Sequence, residues 1–334
     1  MRNEFFVLIA IFSLLLVFPL VSANRGSMGI PIGLGNVQLE ETGQNAIVAW
    51  NGNEEIIILS TDMKSSESAL VLELIPLPSN PTKVEEGSSE SFTKLVEIIN
   101  RKTRELREKI LTGTQRGEVP GVEITFHKKI GAHDVTIVKV NDLDYFIDWV
   151  KDFSTNLGFE YTELPSNFKT TVSNYLDRNI DHFVFDVIET NESSQTIKPL
   201  IYRFKSDYLY YPLEITATSD VGWSVSRVNV FLIAKGVVNQ TVIRNARLSP
   251  RAGFEYSMEL TGDELREISP ELEDLFRSDP FVMNVQYSGP LKMLNKDLIV
   301  YQKDISKPQV YDNSLIIIIS VIAILLLITV MYKL

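Results

Sequence analysis

Two long apolar runs bracket this chain, Phe5 to Leu20 near the start and Leu315 to Val330 near the end, and no cysteine occurs anywhere. Runs of that kind place the stretch between them outside the cytoplasmic membrane. A domain there without disulfides, metal-binding thiolates or a lipidated cysteine must be held by its apolar core alone. Roughly 290 residues are enough, because a chain of that size can bury about 75% of its unfolded surface.

The first run has the layout of a secretory signal. Arg2 supplies a positive start, and Val21-Ser22-Ala23 places small residues where a signal peptidase reads, so residues 1–23 are expected to be removed, with an uncleaved anchor as the alternative because Glu4 offsets part of the positive start. The second run carries no charge and is flanked by Tyr311 and Tyr332. It approaches the length of about 20 residues that spans a bilayer core. The expected organisation is a signal peptide at 1–23, an extracytoplasmic domain at 24–304 and a stalk at 305–313. A single membrane span at 314–332 and a cytoplasmic tail at 333–334 complete it. The expected location is the cell membrane, with most of the chain extracytoplasmic.

Composition narrows the function classes. The formal net charge is −11 and the basic residues are dispersed, which argues against nucleic acid as a partner. The same balance favours solubility over contact with an anionic membrane surface. Asn191-Glu-Ser193 and Asn239-Gln-Thr241 match the glycosylation acceptor pattern, and Asn191 lies in the more polar, loop-like stretch.

Local patterns predict a mixed chain. Gln44–Trp50 and Glu55–Ser60 read as strands joined by Asn51-Gly52, a strong hairpin signal. Ala69–Ile75 reads as a strand ended by Pro76, Pro78 and Pro81. Phe92, Leu95, Val96 and Ile99 recur at helical spacing after a serine cap, and the same pattern continues through Ile110. The basic outer face of that helix is interspersed with Glu97, Glu105 and Glu108, which reads as solvated. Val122–His127 and Asp134–Val140 read as strands, followed by helices with inward stripes Leu143/Phe146/Ile147/Val150 and Phe168/Val172/Tyr175/Leu176. Further strands are expected at His182–Ile188, Pro199–Phe204, Leu213–Thr218, Val225–Ala234, Phe281–Tyr287 and Asp297–Tyr301, with a short helix at Pro270–Phe276. The fold class is therefore α+β, with largely antiparallel sheets and three to four helices in an extracytoplasmic domain, plus one C-terminal transmembrane helix.

An ordered set of short stretches carries a family resemblance. They are Gln44–Gly52 with Glu55–Leu59, Leu74–Pro81, Gly131–Val138 with Trp149, Phe183–Phe185, Pro199-Leu200 and Tyr211–Leu213. Together they resemble the domain of unknown function 2330 family of prokaryotic exported or membrane proteins, from Asn36 to Ala234. The resemblance implies an exported, anchored protein. It implies no activity and no catalytic residues.

The chemistry-bearing residues are few. Only His127, His133 and His182 are available as bases or metal ligands. His133-Asp134, with Glu123 nearby, is the one acid–base constellation, weighed against a histidine that merely satisfies a turn. No compact metal-ligand spacing occurs, and Gly29–Gly35 lacks the context of a phosphate loop, so no cofactor is expected. Gly222-Trp-Ser224-Val-Ser226 has serine where a nucleophile elbow needs its second glycine. Tyr208, Tyr210, Tyr211 and Trp223 gather around a proline turn and suit a platform for sugars or proteins, or ordinary packing at a sheet end. These features favour a non-enzymatic binding or structural surface module. An extracytoplasmic enzyme built around His133 and Asp134 is one alternative. An accessory subunit held to another envelope or membrane protein is the other.

Overall fold

The computed structural model describes residues 28–31, 39–65, 69–111, 133–156, 167–190, 195–196, 198–218, 225–251 and 257–307. Both apolar terminal runs, Glu123, His127, Asn191 and the Gly222–Ser224 stretch lie outside the described residues.

The strands, in chain order, begin with β1 (Met28–Pro31), β2 (Leu39–Trp50), β3 (Glu54–Ser65), β4 (Ala69–Leu77), β5 (Lys83–Glu86) and β6 (His133–Lys139). They continue with β7 (His182–Thr190), β8 (Gln195–Thr196), β9 (Leu200–Lys205), β10 (Leu209–Tyr211), β11 (Val225–Ala234) and β12 (Val237–Val238). The last are β13 (Ser249–Pro250), β14 (Met258–Glu259), β15 (Phe281–Pro290), β16 (Leu298–Val300) and β17 (Ile305–Ser306). The helices are α1 (Glu90–Leu111), α2 (Leu143–Asn156), α3 (Phe168–Asp177), α4 (Gln240–Asn245), α5 (Gly262–Ile268) and α6 (Pro270–Leu275).

A nine-stranded sheet follows the path β13-β15-β11-β2-β3-β9-β5, with β14 and β8 attached. A four-stranded sheet runs β1-β4-β7-β6. Pairing is antiparallel except between β2 and β11. The β2–β3 hairpin forms as its sequence predicts. Gly52 takes φ +100°, and the Asn51 side-chain oxygen accepts from the backbone N–H of Asn53 and Glu54 at 2.9 Å each.

Side-chain alternation builds four layers. Ala46, Val48, Ile57 and Leu59 face Ile75, Leu77 and Val184 of the smaller sheet. Their neighbours Ile47, Ala49, Ile56 and Ile58 face outward, under α1, α5 and α6. The outer face of the smaller sheet, with Leu72, Leu74, Phe183 and Phe185, is covered by α2 and α3. Both faces of the central strands are thus buried, which is why they read as unbroken apolar runs rather than alternating ones. Each fully buried Ile, Leu, Val or Phe stabilises the fold by about 1.5–3 kcal/mol relative to exposure.

Several expectations are corrected. Six helices form among the described residues, not three to four, and none of these is long and apolar enough to cross a membrane. The expected transmembrane helix is therefore not part of the described fold. Two of the extra helices, α4 and α5, are short and set by caps rather than by periodicity. Asn239 accepts from the Thr241 N–H, and Thr261 forms a capping box with Glu264.

Strand β4 runs through Pro76 and stops after Leu77. Its partner β1 covers only Ala69 to Leu72, so beyond that point no strand among the described residues pairs on that side, where a proline lacks no bond. The segment Leu213–Thr218, expected as a strand, forms a 3₁₀ helix from Glu214. There the hydroxyls of Thr216 and Thr218 donate to the carbonyls of Leu213 and Ile215, and tertiary contacts override the β preference of its Ile and Thr residues. The expected stalk begins inside the fold, since Ile305–Ser306 pairs with Val237–Val238.

Candidate functional site

The site is built where α3 ends against the 3₁₀ helix Glu214–Thr218 and the start of β16. Helix α3 buries Phe168, Thr171, Val172 and Tyr175. Asn179 takes φ 59°, the left-handed conformation that closes helices, and the Ile180 N–H returns to the Tyr175 carbonyl at 2.9 Å. That reversal leaves the Arg178 guanidinium on the rim, over the Tyr175 ring at 4.6 Å.

Asp297 is the hub. One carboxylate oxygen accepts from the N–H groups of Leu213 and Glu214 at 2.8 Å each and from the Tyr175 hydroxyl at 3.0 Å. The other accepts from Arg178 at 2.8 Å. Arg178 also donates to Glu214 at 2.7 Å and, through Nε, to the Asn174 carbonyl at 2.9 Å. The Asn174 amide donates to Glu214 at 2.9 Å. Burial pushes the Asp297 carboxyl above its usual range, against the pull of Arg178 and the three donors. Burial and the neighbouring Asp297 push the Tyr175 phenol well up, so it stays a hydrogen-bond donor.

Above this network lies an open cleft of about 440 Å³ lined by Asn174, Asp177, Arg178, Glu214, Lys296, Asp297 and Ile299. That volume falls within the range of small-ligand sites. Lys296 and Asp177 have no ion-pair partner among the described residues, which leaves one charge of each sign free at the cleft. Beside it, Ile299 lies opposite Tyr210 in the β10–β16 pair.

The tyrosines named from sequence separate here. Tyr210 and Tyr211 are fully buried and belong to the core, so neither is a surface platform. Tyr208 is half-buried, and its phenol is pushed up to about 12, chiefly by burial. Its ring meets Tyr301 at 5.6 Å. Tyr301, 47% exposed, was not singled out by sequence reasoning. Trp223 lies outside the described residues.

The histidine constellation is also rearranged. His133 starts β6, but its Nδ1 lies 2.7 Å from Asp186, across the strand pair, and its Nε2 lies 2.7 Å from the Lys198 carbonyl. Asp134 follows it in β6, opposite Val187; its side chain and Glu123 lie outside what the structure describes. Asp186, Glu73 and Glu55 are buried carboxyls that sequence reasoning missed. A usable signal was present: Glu73 and Asp186 each interrupt an otherwise apolar strand, Leu70–Ile75 and Phe183–Ile188. Glu55 accepts from the Tyr210 N–H at 2.6 Å, and burial pushes its carboxyl well above the usual range. Among the described residues no group of three or more His, Asp or Glu is arranged to hold a metal ion. Of the acceptor sites, Asn239 is exposed and in use as the cap of α4.

The sequence matches the family described as an uncharacterized protein conserved in bacteria (DUF2330) over residues 26–293. The chain belongs to the DUF2330 family. The match extends beyond Asn36–Ala234 at both ends and includes the β11–β15 ladder. Among curated proteins none matches this DUF2330 member. Baculovirus P35 has a structure of similar outline, at 11% identity and a TM-score of 0.42, covering 82% of this chain and 99% of that one. P35 in its complex with caspase-8 gives 9% identity and a TM-score of 0.37, covering 78% and 96%. A mutated P35 after caspase cleavage gives 9% and 0.40, covering 78% and 99%.

Proposed function

We propose that this DUF2330 protein is a non-enzymatic binding module that works outside the cytoplasmic membrane, with the cleft between α3 and β16 as its binding site. The carrying observation is the division of labour in that cleft. Asp297, Arg178 and Glu214 are committed to one another and to backbone groups, while Lys296 and Asp177 are left without partners among the described residues. Such a site has a rigid, prepaid frame and free charges at its mouth, which suits recognition. His133 does not support the enzymatic alternative, since both ring nitrogens are engaged by acceptors and neither faces an adjacent nucleophile.

The location rests on the apolar runs Phe5–Leu20 and Leu315–Val330. Attachment through the second run brings the module close to envelope and membrane proteins, one of which is its expected partner. Protease added to intact cells should degrade the domain while a cytoplasmic marker survives; protection of the domain would overturn the location. Crosslinking in the same cells, with and without residues 314–334, tests for the membrane partner. Hydrolysis of envelope polymers by the purified chain, lost in His133→Ala, would overturn the non-enzymatic reading.

A further inference from the structure

We propose that the row of amides Asn284, Asn229 and Asn45 is the register lock of the large sheet, selecting one alignment of the parallel β2–β11 pair where the apolar pattern permits others. This goes beyond the binding-module reading and does not depend on it. The β2–β11 pair is the seam of the sheet. On one side β2 is tied to β3 by the turn at residues 51–53. On the other, β11 pairs with β15 along its whole length. No turn joins β2 to β11, since Asn45 and Asn229 face each other from 184 positions apart. The alignment of one half on the other must therefore come from side chains.

Apolar side chains alone do not supply it. From Ala46–Trp50 against Val230–Ala234 every facing pair is apolar on both sides. A slide of two residues keeps each side chain on its own face and still sets apolar against apolar. Asn45 opposite Asn229 is the one facing pair that is polar on both sides. The Asn229 amide donates to the Asn45 side-chain oxygen at 3.1 Å. The Asn284 amide donates to the Asn229 side-chain oxygen at 2.8 Å and to the Val230 carbonyl at 3.3 Å. Two acceptors on one end of Asn284 identify that end as its nitrogen, and its bond turns the Asn229 nitrogen toward β2. Asn284 is 2% exposed and Asn45 9%, so water does not readily replace these bonds. A two-residue slide puts Asn229 opposite either Ile47 or Gly43, and the Asn229–Asn45 bond is lost both ways. The row is not optimised for stability, because the buried Asn284 Oδ1 has no hydrogen-bond partner among the described residues. Buried amides of that kind select one alignment at some cost, as a single asparagine does in a coiled coil.

The chain has no cysteine, so introduced pairs report register without background. Ala46→Cys with Val230→Cys joins positions that face each other in the observed alignment. Ala46→Cys with Val228→Cys, or with Leu232→Cys, joins positions that come within bridging distance only after a two-residue slide in one direction or the other. The full chain is refolded with oxidised glutathione and its disulfides are read by mass spectrometry. With the three asparagines in place, only the first pair should bridge. In an Asn45→Val/Asn229→Leu/Asn284→Leu background, a slid pair should bridge about tenfold more often than in the parent, while the melting temperature holds or rises. Asn45→Val alone keeps the Asn284–Asn229 bond and should give a smaller rise. Slid pairs that bridge no more in the apolar background than in the parent overturn the lock. An apolar background that unfolds, or melts well below the parent, also overturns it, because the row would then supply stability rather than alignment.

Discussion

Glu73 and Asp186 stand directly opposite each other on β4 and β7, and both are buried between the two sheets. Two ionised carboxylates at that spacing would repel across a strand pair. His133 is the visible compensation, since it binds Asp186 from the neighbouring strand and reaches the Lys198 carbonyl with its other nitrogen. The ring is thereby held between a carboxyl group and a backbone carbonyl, which ties β6 to β7 and to the segment before β9.

Removing His133 should therefore cost stability. His133→Ala leaves the buried Asp186 without its side-chain partner, and breaking a buried pair in this way costs about 3–5 kcal/mol. Urea unfolding should show a lower midpoint with an unchanged slope. A variant as stable as the parent would mean that the histidine is not a structural tie.

Asp297 should be the most sensitive position at the cleft. Asp297→Ala leaves two backbone N–H groups and the Tyr175 hydroxyl without their acceptor and removes one of the two carboxylates that hold Arg178, a loss of about 3–5 kcal/mol. Asp297→Asn keeps an acceptor for the backbone groups and should lose less. Thermal melts of the two variants order them, and an equal loss would mean that only the charge matters.

Glu55 governs a pH dependence. Its native pKa lies well above the ordinary 4.5, because burial disfavours the charged form. The native state thus favours the protonated acid. The stability this confers is fully present below 4.5 and is lost as pH rises toward the native value. Glu55→Gln stays neutral and retains an oxygen for the Tyr210 N–H. It should melt at a higher temperature than the parent at pH 8 and match it near pH 4. A variant that destabilises equally at both pH values would show that the ionisation of Glu55 is not the cause.

Gly236 is where the late strand β17 closes on β12. A Cβ there would collide with the Ser306 carbonyl oxygen, so a side chain must push the strand away. Gly236→Ala should cost about 1–3 kcal/mol and expose residues 305–307 to protease. Unchanged cleavage would mean that the backbone accommodates the methyl group.

Much of the framework was legible because its signals are local. Asn51-Gly52 specified the first hairpin, and the inward stripe of α2 held at Phe146 and Val150, both buried. The inward stripe of α3 also held, with Phe168, Val172 and Tyr175 buried. The cleft was less legible. Tyr208 was visible as one of several tyrosines, but its ring partner Tyr301 lies far along the chain. Nothing local in Asp297 or Arg178 marks them as a pair, since their bond joins residues 119 positions apart. The failure at Leu213–Thr218 has the same origin, because Asp297 binds the Leu213 and Glu214 N–H groups from across the fold.

By itself the sequence determined the α+β class, the disulfide-free core, most strands and helices, and the family to which the chain belongs. Those follow from periodicity, turn chemistry and composition, which act between near neighbours. Only the tertiary structure decided which tyrosines are core and which are surface, which carboxyls are buried, and that α3, the 3₁₀ turn and β16 enclose a cleft. The reason is physical: burial and hydrogen-bond partnership belong to the packed layers, and residues such as Tyr175, Glu214 and Asp297 acquire their roles only when distant strands and helices are brought together.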